Sequence, residues 1–245
     1  MTTSPQSRAD LAWHTVYEFA LTTLFLFAVV SLIRWTALPA SPLAISDPGT
    51  LFAVAGVAVA TLIVALMHSP PGRASGGHLH PGVTVFLWSS GLFPGRAVVP
   101  YAAAHLAGSL TGTGLAGLVW GEAVRQVGYG AVHPRPGARA ATVFLVEGVA
   151  IAAVVAVVAV LMTRPRLQGV IPAVIGVSVG VTIATLGTVT GASINPARAF
   201  GPAVISETYD YFWTYMIAPI VAPALVGLVN RVVITRRQGV APAEI

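Results

Sequence analysis

The sequence predicts an all-α membrane protein of six transmembrane helices and two re-entrant half-helices, arranged as an inverted repeat. Three observations carry this reading. The 245 residues are 56% hydrophobic and only 9% charged, with a mean hydropathy of +0.82, whereas a water-soluble domain carries about 25% charged residues. Six long apolar runs stand at 14–35, 50–67, 98–120, 140–162, 169–188 and 210–233, each near the ~20 residues that a bilayer crossing needs. Two shorter apolar pieces, 83–93 and 196–205, are too short to cross at about 1.5 Å per residue.

Taken in chain order, the first run carries an acid, Glu18, in apolar surroundings. The second run ends in a turn-rich stretch, Ser69-Pro70-Pro71-Gly72-Arg73, followed by Ala74-Ser75-Gly76-Gly77 and then the first short piece behind Pro81. Proline suits the first turn of a helix. After the third run the pattern starts again. The fourth run carries Glu147, the fifth leads into Thr190-Gly191-Ala192-Ser193, and Pro196 opens the second short piece. His80-Pro81-Gly82 and Asn195-Pro196-Ala197 therefore occupy matching places in the two halves. Three crossings per half is an odd number, so the second half must enter the membrane from the opposite side. Inverted repeats with broken helices put a substrate path at the midplane between them.

The expected organisation is a cytoplasmic N-terminal tail at 1–13, a first repeat at 14–120, an extracellular connection at 121–139, a second repeat at 140–233 and a cytoplasmic C-terminal tail at 234–245. Arginine placement sets this orientation. With both termini inside, Arg8, Arg73, Arg96, Arg164, Arg166, Arg231, Arg236 and Arg237 are cytoplasmic, against Arg34, Arg125, Arg135 and Arg139 outside, as the positive-inside bias requires. The net charge of +5 is scattered between apolar runs rather than gathered in a stripe with aromatics, so no nucleic-acid partner is expected. The absence of cysteine excludes disulfides, thiolate metal sites and cysteine nucleophiles. The polar first ten residues lack the short apolar core of a signal peptide.

Non-helical backbone at membrane depth survives only where it lines a watery cavity or is buried in protein. Two half-helices whose N-termini meet at the midplane aim two positive dipole ends at one place. That place repels cations and passes neutral hydrogen-bonding solutes. Asn195 is a favoured N-cap whose oxygen can take a backbone N–H, leaving its amide N–H groups to the pore. His80 is a poorer cap, and Gly82 weakens the first turn of its helix. Two readings of His80 stand: a neutral donor that lines the pore, its neutral form favoured by the adjacent helix ends, or a pH-sensitive gate. Glu18 and Glu147 likewise read either as a proton relay or as internal acceptors that hold re-entrant backbone. His78 and His80, with His68, lack a reliably placed further ligand, so no metal or other cofactor is expected. Gly108 with Gly112, and Gly176 with Gly180, are four-residue spacings that let helices approach closely. His105 reads as a hydrogen-bonding core residue.

The segment Ser193-Ile194-Asn195-Pro196-Ala197-Arg198-Ala199-Phe200-Gly201-Pro202-Ala203 resembles the second signature loop of the aquaporin, or major intrinsic protein, family. Ser75-Gly76-Gly77-His78-Leu79-His80-Pro81-Gly82-Val83-Thr84 resembles the first, departing from it at His80 and Gly82. With the duplication and both glutamates, the resemblance spans nearly the whole chain. It implies that Glu18, Glu147 and His78 support the loops, and that the protomers form homotetramers with one pore each. It also implies a selectivity ring of Arg198, Ala192, Ile183 and, from the second helix, Ala60 or Thr61. Such a ring is wider and less polar than a water-selective one and resembles that of plant nodulin-like intrinsic proteins. The function expected is a passive plasma-membrane channel for small neutral solutes of the boric acid, arsenous acid, glycerol or urea class, with water, excluding protons and ions. The alternatives are a water-selective channel, a proton-coupled transporter and a closed structural member of the fold. No nucleophile–base pair is visible, so an enzyme is not expected.

Overall fold

The structure, a computed structural model, describes residues 7–238. Ten α-helices order it: α1 (Arg8–Ala37), α2 (Pro48–His68), α3 (Pro70–Ser75), α4 (Pro81–Ser89), α5 (Val98–Trp120), α6 (Glu122–Arg125), α7 (Ala140–Met162), α8 (Ile171–Thr190), α9 (Pro196–Ser206) and α10 (Phe212–Gln238). No strand occurs among the described residues. Six helices are long, and five of these are apolar enough along their length to cross a membrane. The sixth, α5, is a 23-residue helix whose buried face carries His105, Ser109 and Thr113. Its length of about 35 Å suffices for a crossing, and its polar groups are buried: His105 and Ser109 bond Glu18 of α1 and the backbone of α9, and Thr113 donates to the Ser109 carbonyl of its own helix.

Helix ends follow their caps. Helix α1 starts at Arg8 rather than 14 because Ser7 and Asp10 form a reciprocal capping box, at 3.0 and 2.9 Å. Residues 8–13 therefore belong to the first helix, not to a tail. At the other end α10 runs to Gln238, so the tail expected from 234 starts later. The remainder of both expected tails, 1–6 and 239–245, lies outside the described residues. Asp47 caps α2 by accepting the Thr50 backbone N–H at 2.7 Å, and this bond holds its carboxyl below the usual range. The first half-helix, α4, stops at Ser89, short of the expected 93, where Gly91 turns left-handed (φ 76°). The short helix α3 was not foreseen; Ser69 caps it behind Pro70 and Pro71.

The long helices pack in pairs, α1 with α5, α2 with α8, and α7 with α10. Glycines set two of these seams. A Cβ on Gly108 would lie 2.6 Å from the Phe19 carbonyl, and one on Gly180 would lie 2.7 Å from that of Gly56. Both four-residue glycine spacings thus sit where two backbones meet, as small-residue seams do in membranes. The half-helices are exchanged between the repeats. Helix α4, from the first half, docks on α10, and α9, from the second half, docks on α5. This exchange brings the N-termini of α4 and α9 together at the centre. The connection at 121–139 is folded: it holds α6 and a 3₁₀ turn at Gly128–Gly130, and the Arg135 N–H bonds the Val189 carbonyl at 3.0 Å.

Candidate functional site

Two loops, each running into a half-helix, form the centre. In both, the residue before the cap is held left-handed: Leu79 at φ 56° and Ile194 at φ 44°. Non-glycine residues adopt this conformation at a cost of about 1–3 kcal/mol, and a β-branched one such as isoleucine rarely does. The buried glutamates offset that cost. Glu18 takes the backbone N–H groups of His78 and Leu79, both at 2.9 Å, the Ser75 hydroxyl at 2.7 Å and the His105 Nε2–H at 2.8 Å. Glu147 takes the Ile194 N–H and the Thr190 hydroxyl, the latter at 2.6 Å. Both carboxylates are 0% exposed, and neither lines the central cavity. As acceptors for loop backbone they lie behind the path, which argues against a proton relay.

With its N–H held by glutamate, each left-handed residue turns its carbonyl toward the opposite loop. The Leu79 carbonyl accepts from Asn195 Nδ2 at 2.9 Å, and the Ile194 carbonyl accepts from His80 Nε2 at 2.7 Å. Each cap residue also closes its own half-helix. Asn195 Oδ1 accepts the Ala197 N–H at 2.9 Å; His80 Nδ1 accepts those of Gly82 and Val83 at 2.9 and 3.3 Å. A carbonyl can only accept, so His80 is the neutral tautomer with its proton on Nε2. Here the sequence expectation needs correction. The single His80 N–H is spent on the Ile194 carbonyl and is not free to donate into the pore. Both imidazole nitrogens are engaged, so His80 offers no lone pair to a metal either.

Gly82 has a packing reason. A Cβ there would lie 1.8 Å from the Pro219 carbonyl oxygen of α10 and 2.9 Å from His80 Cε1. The alanine that stands at the matching place in the second half, Ala197, would be overpacked here between the imidazole and this helix.

A cavity of about 1130 Å³ passes the two caps. Its lining runs from His68, Arg73 and Gln168 at one set of helix ends to Thr36, Gln126 and His133 at the other. Of the expected ring, Ile183, Ala192 and Arg198 line it. Arg198 Nη1 is buried without a protein partner among the described residues. Ala60 and Thr61 do not line it. Ala60 faces Gly176 and Gly180 in the α2–α8 seam, and the exposed Thr61 bonds its own helix at the Val57 carbonyl. The α2 residues on the cavity wall are Leu51, Phe52, Ala55, Val59, Ile63 and Met67, and Val59 shares a hydrophobic cluster with Ile183. One residue of misregister over the stretch from His80 back through α3 to α2 rotates a helix position by about 100°. That converts a wall residue into a seam residue.

His78 sits behind the first loop, its Nδ1 2.9 Å from the Thr84 hydroxyl and its ring packed on Phe93 and Tyr101. Several supports escaped the sequence reading. Tyr101 and Tyr215 donate to the Ser75 and Thr190 carbonyls at 3.0 and 2.6 Å. Ser109 Oγ donates to the Ala197 carbonyl and accepts the Gly201 N–H, the latter at 2.8 Å. The repeat could have revealed the first set: Ser75 and Thr190 each stand five residues before the cap, and the tyrosines 21 and 20 after it.

A bundle of long apolar helices around a through-going cavity, pinched by two capped half-helices, defines a multi-pass membrane channel. Residues 6–230 match the major intrinsic protein family. The chain belongs to that family, whose members are channels and not enzymes. It is 40% identical to the probable aquaporin AqpM of Archaeoglobus fulgidus, over 73% of this chain and 74% of that one. It is 34% identical to aquaporin TIP4-4 of Zea mays, over 86% and 82%, and 32% identical to a probable NIP-type aquaporin of Nicotiana alata, over 65% and 58%. In fold it is similar to the aquaglyceroporin of Plasmodium falciparum, with a TM-score of 0.75 and 20% identity, covering 94% of this chain and all of that one.

Proposed function

We propose that the protein is a passive channel for small neutral polyhydroxylated solutes, of the boric acid, arsenous acid, glycerol or urea class, together with water. The observation that carries this is the make-up of the outer wall. Val59, Ile183 and Ala192 line the same cavity as Arg198. The α2 place expected for Ala60 or Thr61 passes in this reading to Val59, which keeps the ring aliphatic. Short aliphatic side chains leave more width than aromatic ones. Arg198, with its unpartnered Nη1, donates to a solute oxygen and repels cations. The two half-helix ends add positive potential at the midplane.

The chain assembles as a homotetramer in the plasma membrane with both termini cytoplasmic; an even number of crossings returns it to the side where it began. A water-selective channel is the second reading, supported by the relatives that carry the name aquaporin. Stopped-flow swelling of proteoliposomes with glycerol, urea and boric acid separates the two. Solute-driven swelling with a low activation energy is expected. Passage of water alone, with every solute excluded, would refute the wide-filter reading.

A further inference from the structure

The two caps look equivalent but present different groups to the channel. Asn195 and His80 both lie on the cavity wall. Each closes its own half-helix and ties itself to the opposite loop, at 2.9 and 2.7 Å. An asparagine amide carries two N–H groups and a neutral imidazole carries one. After the tie to the Leu79 carbonyl, Asn195 keeps one N–H for the passing solute. After the tie to the Ile194 carbonyl, His80 keeps none, and its Nδ1 lone pair is taken by Gly82 and Val83.

We propose that His80 is a specificity-determining residue that makes the midplane a one-donor crossing. A water molecule entering the constriction gives up its bulk neighbours and meets one donor, from Asn195, where a second asparagine would supply another. On the His80 side it meets ring carbon. This raises the barrier for water, which relies on those bonds, more than for a larger solute that also contacts the aliphatic wall. The proposal rests on the channel reading of the site but not on which solute passes.

Asn195 shows that an asparagine can cap a half-helix, reach the opposite carbonyl and retain a donor in this geometry, so His80→Asn restores the missing N–H. His80→Gln supplies it differently: its terminal amide reaches as far as imidazole Nε2, one N–H replacing the tie and the other facing the channel. A neutral hydrogen bond contributes modestly, so the expected change is roughly a two- to tenfold rise in osmotic water permeability per channel. The measurement is stopped-flow shrinking of proteoliposomes in an impermeant osmolyte, normalised to reconstituted protein and compared with wild type. Because water alone is followed, the result is independent of the solute reading, which a separate solute-swelling experiment tests. Faster water flow with a lower activation energy in the variants that reconstitute supports the proposal. If one variant does not fold, the other decides. Water flow equal to or below wild type in either reconstituted variant overturns it.

Discussion

Replacing Glu18 by Gln should unseat the first re-entrant loop while leaving the second in place. The carboxylate accepts four hydrogen bonds, from the Ser75 hydroxyl and His78 N–H on one oxygen and from the Leu79 N–H and His105 on the other. An amide keeps one accepting oxygen and turns an NH₂ group toward the remaining donors. His105 can adapt, because its Nδ1 has no partner among the described residues and the ring can move its proton there. The Leu79 backbone N–H cannot. A buried donor left unmade costs about 1–3 kcal/mol, and bonds to a charged acceptor exceed neutral ones by about 1 kcal/mol each. With the left-handed Leu79 no longer anchored, the total is roughly 2–5 kcal/mol. At about 2–4 °C per kcal/mol for a chain of this size, the melting temperature should fall by about 4–20 °C. Tryptophan fluorescence on heating in detergent reads this directly. Water permeability of reconstituted Glu18→Gln should fall as well, since the Leu79 carbonyl positions Asn195. A melting temperature within ~2 °C of wild type, with unaltered permeability, would refute the assignment of Glu18 as the anchor of the loop.

Gly82→Ala should lower the melting temperature despite a helix-propensity gain of about 1 kcal/mol, because overpacking against the Pro219 carbonyl costs about 1–3 kcal/mol or more; a stabilised variant would show that α4 can shift freely. Water permeability should stay flat from roughly pH 5.5 to 8, although free histidine titrates there. Protonating His80 would put an N–H against the Gly82 and Val83 donors, so the neutral form persists as pH falls; a sigmoidal step would restore the pH-gate reading. Gly187→Ala would put a Cβ 2.2 Å from Phe52 Cδ1 and press that ring toward the cavity. Flow of the larger solutes should drop more than flow of water, and an equal drop in both would place the constriction elsewhere. Arg198→Val should increase proton and cation leak, followed with a trapped pH dye, while solute flow persists; an unchanged leak would assign exclusion to the half-helix ends alone.

Helix positions were legible in the sequence where lipid dictates them. The runs at 98–120 and 140–162 coincide with α5 and α7, because length and apolarity are set by bilayer thickness. Ends set by local hydrogen bonds were not legible: the Ser7 box extended α1, and the Ser69 cap made α3. The caps His80 and Asn195 and the anchors Glu18 and Glu147 were visible because each has a counterpart in the other half. What the repeat does not duplicate was legible only in part: His105 reads as a hydrogen-bonding core residue, but its acceptor does not show. His105 is the partner of Glu18 alone, and the use of the single imidazole proton depends on where the Ile194 carbonyl points, which no spacing encodes. Ala60 failed for a third reason: the count back from His80 crosses the loop at 76–79 and all of α3 before it reaches α2, and a slip of one residue over that stretch loses helical phase.

The exchange of half-helices also bears on how the chain is made. Helix α4 leaves the ribosome well before α10, the surface it docks on, exists. The Leu79 carbonyl waits 116 residues for the Asn195 amide. Until the second half arrives, the first holds a capped helix with no seat and a buried carbonyl with no donor. Assembly is therefore a joint event late in synthesis, and a chain cut in the connection between the halves yields two inserted fragments that need each other to finish folding.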